Sequence, residues 1–150
     1  MKRITLLLIE VAFTTFSFAQ TDFSGTWKIN TSKSKLGEQS FAPQKVVITQ
    51  SGNDMSVETT TDFMGQINTR TSKYKLDGSE SSNEGMMGGS PIKSTAKWSD
   101  DKKVLTVTTK IDMQGSEMVM SAVYKMDGSN LVIESSMGDF GSETQVFDKQ

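Results

Sequence analysis

The sequence predicts an all-β chain, an antiparallel up-and-down meander of eight to ten strands that closes into a barrel. Three observations predict it. Apolar and polar residues alternate with period two along most of the chain beyond residue 20, which is the pattern of half-buried strands. Short Gly, Asp, Asn and Ser clusters separate the alternating runs, so successive strands are joined by tight turns and pair antiparallel. No long amphipathic helix pattern interrupts them.

Taken in order, the runs lie at 23–29, 44–51, 54–62, 66–76, 92–98, 103–113, 118–126, 130–136 and 143–148. The clearest carries Met118, Met120, Ala122, Tyr124 and Met126 on one face, with Val119, Ser121, Val123 and Lys125 on the other. Turn signals stand at Ser51-Gly52-Asn53, Met64-Gly65, Asp77-Gly78, Ser99-Asp100-Asp101, Gln114-Gly115 and Asp127-Gly128. A shift of fifty residues aligns Val57 with Val107, Thr59 with Thr109, and Tyr74-Lys75-Leu76-Asp77-Gly78-Ser79 with Tyr124-Lys125-Met126-Asp127-Gly128-Ser129. Either a four-strand unit is duplicated or two hairpins share favoured turn chemistry. By analogy with 130–136, the polar stretch 80–86 becomes a weak tenth strand. An even count lets the first and last strands meet antiparallel and removes the sheet edges. An open sheet or two-sheet sandwich is the alternative.

The first nineteen residues read as a cleaved secretory signal, leaving residues 20–150 as a single domain. Lys2 and Arg3 form the charged start, an apolar stretch interrupted by Glu10 follows, and Ser17-Phe18-Ala19 supplies small residues for cleavage before Gln20. The stretch is short for a span of about 20 residues. The chain has no Cys, hence no lipid attachment site of the lipoprotein type and no disulfides. The expectation is a periplasmic or secreted protein without a transmembrane anchor. Loss of Lys2, Arg3 and Glu10 moves the formal charge from −2 to −3, which favours neither nucleic acid nor an anionic membrane as partner.

The run Asp22-Phe23-Ser24-Gly25-Thr26-Trp27-Lys28-Ile29 resembles the Gly-x-Trp signature that opens the first strand of lipocalins and fatty-acid-binding proteins. Thr144-Gln145-Val146-Phe147-Asp148-Lys149 is similar to their last strand. The two motifs flank a meander of the right length, so the chain resembles a bacterial lipocalin-like protein of the calycin superfamily. That resemblance implies a calycin-like barrel around a small apolar ligand, with Trp27 closing one end. It also marks two departures. Fatty-acid-binding proteins hold the ligand carboxylate with an Arg-x-Tyr pair, whose places here are taken by Gln145 and Phe147. Their helical lid after the first strand corresponds to Asn30–Gln44, which is short and polar with Gly37 and Pro43, so a loop or one short helix is expected over the mouth.

The sequence has neither His nor Cys, which excludes every triad, dyad or zinc site built on them. Gly85-Met86-Met87-Gly88-Gly89 lacks the Lys-Ser/Thr tail of a phosphate loop, and Asp54, Asp77, Asp100, Asp101, Asp127 and Asp139 fall in turns. No catalytic residue, cofactor or metal is therefore assigned, and the chain is read as a non-enzyme.

Arg70 is the sole Arg after the signal and shares strand parity with Ser72 and Tyr74. Facing inward it would anchor an anionic head group; the alternatives are a surface position or stacking on Trp27. All Met but Met1 lie beyond the signal, where flexible thioethers fill irregular core or line a tolerant pocket. Cu(I) on clustered thioethers, Met118 and Met120 above all, is the remoter option. The candidate ligand-binding set is Trp27, Arg70, Tyr74, Met118, Met120, Tyr124, Gln145 and Phe147. The expected function is non-enzymatic, extracytoplasmic binding of a small hydrophobic or amphipathic molecule or lipid inside the barrel. The alternative is a filled barrel acting through its surface as an adaptor or inhibitor of an envelope protein.

Overall fold

The computed structural model describes residues 19–37, 40, 42–63, 65–85, 89–113, 116–138 and 141–150. Residues 1–18, which carry nearly all of the expected signal, and Met64, Met86, Met87 and Asp139 lie outside them. Ten strands follow one another: β1 (Gly25–Ile29), β2 (Lys45–Ser51), β3 (Asp54–Phe63), β4 (Gln66–Lys75), β5 (Glu80–Asn83), β6 (Ile92–Trp98), β7 (Leu105–Met113), β8 (Ser116–Asp127), β9 (Asn130–Ser136) and β10 (Ser142–Lys149). No α-helix occurs among the described residues.

The strands form one antiparallel sheet in the order β4-β3-β2-β1-β10-β9-β8-β7-β6-β5. β1 pairs with β10, Ile29 opposite Phe147, so first and last strands meet as an even-stranded meander requires. Closure is nevertheless incomplete. β4 and β5 are adjacent in the chain and stand at the two ends of the sheet without a ladder between them, so the expected loss of all edges does not occur. The physical reason lies in β5, whose Glu80-Ser81-Ser82-Asn83 has none of the β-branched or aromatic residues that fit a pleated, half-buried surface.

The fifty-residue repeat carries into the pairing. Met55 faces Tyr74 and Val57 faces Ser72 in β3–β4, while Leu105 faces Tyr124 and Val107 faces Ala122 in β7–β8. The ladders of both hairpins run to matching last pairs, Phe63 opposite Gln66 and Met113 opposite Ser116. At the Asp127-Gly128 turn, Gly128 adopts φ 58°, a left-handed conformation natural to glycine.

The two ends of the barrel differ. Strand alternation points Trp27, Val46, Ile48, Val57, Leu105, Leu131 and Phe147 inward, where they pack together as the core of one end. Burying each such side chain contributes about 1.5–3 kcal/mol. Phe23, just before β1, plugs this end: it is fully buried, stacks on Trp98 with centroids 5.7 Å apart, and accepts the Trp27 indole N–H on its carbonyl at 2.9 Å. The strand expected from residue 23 thus begins at Gly25, because Phe23 points into the core instead of extending the sheet. Gly25 has φ 150°, and a Cβ there would lie 3.1 Å from the Lys149 side chain, which accounts for the glycine of the Gly-x-Trp motif.

The other end stays open. Residues 30–37 run from β1 along β10: Lys35 exchanges main-chain hydrogen bonds with Thr144 at 2.7 and 3.0 Å. The Glu143 carboxylate then accepts from the Gly37 N–H at 3.1 Å and the Ser40 hydroxyl at 2.8 Å. This strap, rather than a helix pair, borders the mouth.

Candidate functional site

The open half contains a cavity of about 240 Å³. One wall is apolar, made by Ile92, Val107, Ile111, Met120 and Ala122 from β6, β7 and β8. The facing wall is polar and comes from both sides of the β4–β5 junction: Arg70, Ser72 and Tyr74 from β4, and Asn83 from β5. The hydroxyls of Ser94 and Thr109 also line it, and they satisfy each other at 3.0 Å, which removes the cost of burying the 2 %-exposed Ser94. Arg70 is the one charged residue in this wall, and no carboxylate lines it.

The junction is closed by side chains. The Lys73 N–H donates to the Asn83 Oδ1 at 2.7 Å, and the Asn83 amide returns a bond to the Lys73 carbonyl at 3.0 Å. Asn83 thereby imitates the peptide group of a missing strand. The Lys75 N–H donates to the Ser81 Oγ at 2.8 Å, and the Arg70 guanidinium donates to the Glu84 carbonyl. These bonds satisfy main-chain groups that would otherwise form an exposed edge.

The expected site residues separate into groups. Arg70, Tyr74 and Met120 come together around the cavity. Arg70 shares the inward parity of Tyr74 and does not stack on Trp27; the cation over that ring is Lys149, 5.4 Å from its centroid. Met118 is half-buried, two residues from Met120 on the same face of β8 and beyond the cavity wall. Trp27 and Phe147 are fully buried in the packed end, and Tyr124 packs there against Phe23, so these three are core and do not form the cavity wall. Gln145 is buried, and its amide donates to Glu143 at 3.3 Å. Met55 belongs to the core and Met126 packs against it, and neither lines the cavity with Met120.

The two tyrosines feel this division. Burial pushes the Tyr124 phenol far above its ordinary range, with Tyr74 adding to the rise. Burial also raises Tyr74, but the Ser72 hydroxyl and the Arg70 cation pull it partly back. A neutral phenol thus stands beside a cation in the cavity wall.

Sequence reasoning missed Ser72, Asn83, Ser94 and Thr109. The signal for Ser72 was present in its parity with Arg70, and Ser94 and Thr109 share parity with Ala96 and Val107. An inward serine resembles an outward one until its partner across the ladder is known.

No protein-family model matches the sequence, and no curated protein sequence matches it. Solved structures do. Human cRBP IV aligns with a TM-score of 0.65 and 19% identity, covering 87% of this chain and 99% of that one. A Schistosoma mansoni fatty-acid-binding protein, solved in complex with arachidonic acid, aligns with a TM-score of 0.62 and 20% identity over 85% of this chain and 96% of that one. The fold is a calycin-like barrel. The wild-type fluorescent protein UnaG is also similar, with a TM-score of 0.60 and 21% identity over 85% of this chain and 97% of its own. Relative to the Arg-x-Tyr pattern of fatty-acid-binding proteins, this barrel turns Gln145 and Phe147 inward from β10, and the cation in its cavity comes from β4.

Proposed function

We propose that this protein is an exported, non-enzymatic binding protein that holds a small hydrophobic or amphipathic molecule in the open half of its calycin barrel. The carrying observation is the cavity itself: about 240 Å³, apolar on the β6–β8 side, with a few convergent polar groups opposite. That is the usual composition of a small-molecule site. The similar structures support the reading, since one of them is a fatty-acid-binding protein solved with arachidonic acid. Export is supported by the Lys2-Arg3 start, the apolar stretch and Ser17-Phe18-Ala19. The absence of His and Cys from the sequence removes the commonest general base and the thiol nucleophile, which supports binding without catalysis.

The test is titration of the purified protein with an environment-sensitive hydrophobic dye, read by the dye's own emission because Trp27 and Trp98 sit at the packed end. Saturable enhancement reversed by amphiphiles supports the reading, and its absence at millimolar dye rejects it. One observation favours the alternative, a filled barrel working through its surface as an envelope adaptor or inhibitor. Ile67 (75% exposed), Val119 (44%) and Met137 (36%) are large, exposed and all near the strand ends of the open half. That alternative predicts no saturable dye site, and loss of partner capture when Ile67 and Val119 are changed to Ser.

A further inference from the structure

We propose that the β4–β5 junction is an anion subsite, and that the ligand is a short amphiphile with one carboxylate head, held by Arg70 with its tail along Ile92, Ile111 and Met120. This rests on the binding reading above and names its ligand class.

Four observations carry it. First, Arg70 faces a cavity wall that holds no other charge and no carboxylate, so an anion placed there meets attraction without repulsion. Among the described residues its hydrogen-bond acceptor is the neutral Glu84 carbonyl, and no ion pair reaches it. A guanidinium has five donors in a planar fork that fits a carboxylate bidentately, so most of its capacity is left for a ligand. Second, the fold brings no competing cation from β10. Gln145 is buried against Glu143, Phe147 is core, and Glu143 is itself occupied by Gly37, Ser40 and Gln145.

Third, Arg70 pairs with Thr59 of β3 on one side and has no ladder on the other, toward β5. Its bond to Glu84 crosses from β4 to the residue after β5, so the guanidinium can reorient toward a head group without breaking a strand pair. Ser72 beside it offers a hydroxyl. Fourth, size limits the tail. The packed end is filled by Trp27, Leu131 and Phe147, and the cavity beside Arg70 measures about 240 Å³, below the ~300–1,000 Å³ of a drug-sized pocket. A long acyl chain does not fit without protruding.

The experiment is displacement of the dye from the purified protein by octanoate, octanol and octylamine, which share a tail and differ in head, and by palmitate. Octanoate is expected to displace at a concentration at least ~10-fold below octanol, as a charge-assisted bidentate contact implies, with octylamine weakest and palmitate no better than octanoate. Arg70→Gln should erase the octanoate advantage and leave octanol unchanged; Arg70→Lys should keep part of it. Equal potency of octanoate and octanol on the wild type, or a persisting advantage in Arg70→Gln, overturns the subsite. Should Arg70→Gln lose octanol binding as well, the wild-type Arg70 Nε–H resonance decides: a shift with octanoate and not with octanol supports the assignment, and a stationary signal overturns it. Failure of the underlying reading is distinct, because then the dye finds no saturable site and no probe displaces anything, which removes the subsite with it.

Discussion

Tyr74–Ser79 and Tyr124–Ser129 differ at one position in six, Leu76 against Met126, yet the strands they introduce behave oppositely. After the second copy, β9 forms a continuous ladder with β8, from Asp127 opposite Asn130 to Ser121 opposite Ser136. After the first, β5 makes no ladder with β4 and touches it through Asn83, Ser81 and Arg70. The following residues decide between them. Leu131-Val132-Ile133 is buried throughout, so the strand is driven onto the core; Ser81-Ser82-Asn83 has nothing apolar to bury. The same turn therefore leads to a packed wall in one copy and a polar junction in the other, and the cavity opens beside the polar one. Arg70 and Met120 occupy equivalent places fifty residues apart and both line the cavity, one as its charge and one as its apolar wall.

The largest expected difference between the copies is energetic. Leu131→Ala should destabilise the protein by about 2–5 kcal/mol, as loss of a fully buried Leu does, whereas Ser81→Ala at the equivalent place should cost no more than ~0.5–1.5 kcal/mol for one hydrogen bond. Urea melts of both variants measure this, and equal losses would mean the junction is as integral as the ladder. Next in size is local opening. Hydrogen exchange should replace the Lys73 and Lys75 amides at least ~10-fold faster than those of Val123 and Lys125, because the first pair rests on side-chain acceptors and the second lies within a strand ladder.

The smallest effect concerns the tyrosines. Both phenols keep their protons longer in the folded state than the ordinary value near 10, so above that pH the native state binds more protons than the unfolded one. Their contribution to stability is complete below about pH 10 and declines as the pH rises further. Tyr124→Phe should flatten the alkaline decline more than Tyr74→Phe, since Ser72 and Arg70 oppose the rise at Tyr74. Thermal melts from neutral to alkaline pH would show it.

Strand positions were legible in the sequence because alternation and turns are local: the expected 92–98 and 130–136 are β6 and β9 without adjustment. The break between β4 and β5 was foreshadowed by the weakness of 80–86, although parity alone cannot tell a short ladder from none. The inward orientation of Arg70 followed from Tyr74. The division of the interior did not follow, because alternation says which face a residue takes and not how far along the barrel core packing extends. Trp27, Tyr124 and Phe147 are inward as their pattern implies, yet Phe23, from outside the strands, fills the space around two of them. Asn83 is a residue whose role depends on a contact ten positions back, which no periodicity encodes.

Methionine methyl NMR, with octanoate titrated into protein labelled at the Met methyls, tests most directly whether ligand occupies the open half. The Met120 methyl should shift progressively and saturate, while Met55, 1% exposed in the packed end, stays in place. A shift at Met55 with Met120 unmoved, or no saturable shift at any methyl, would contradict it.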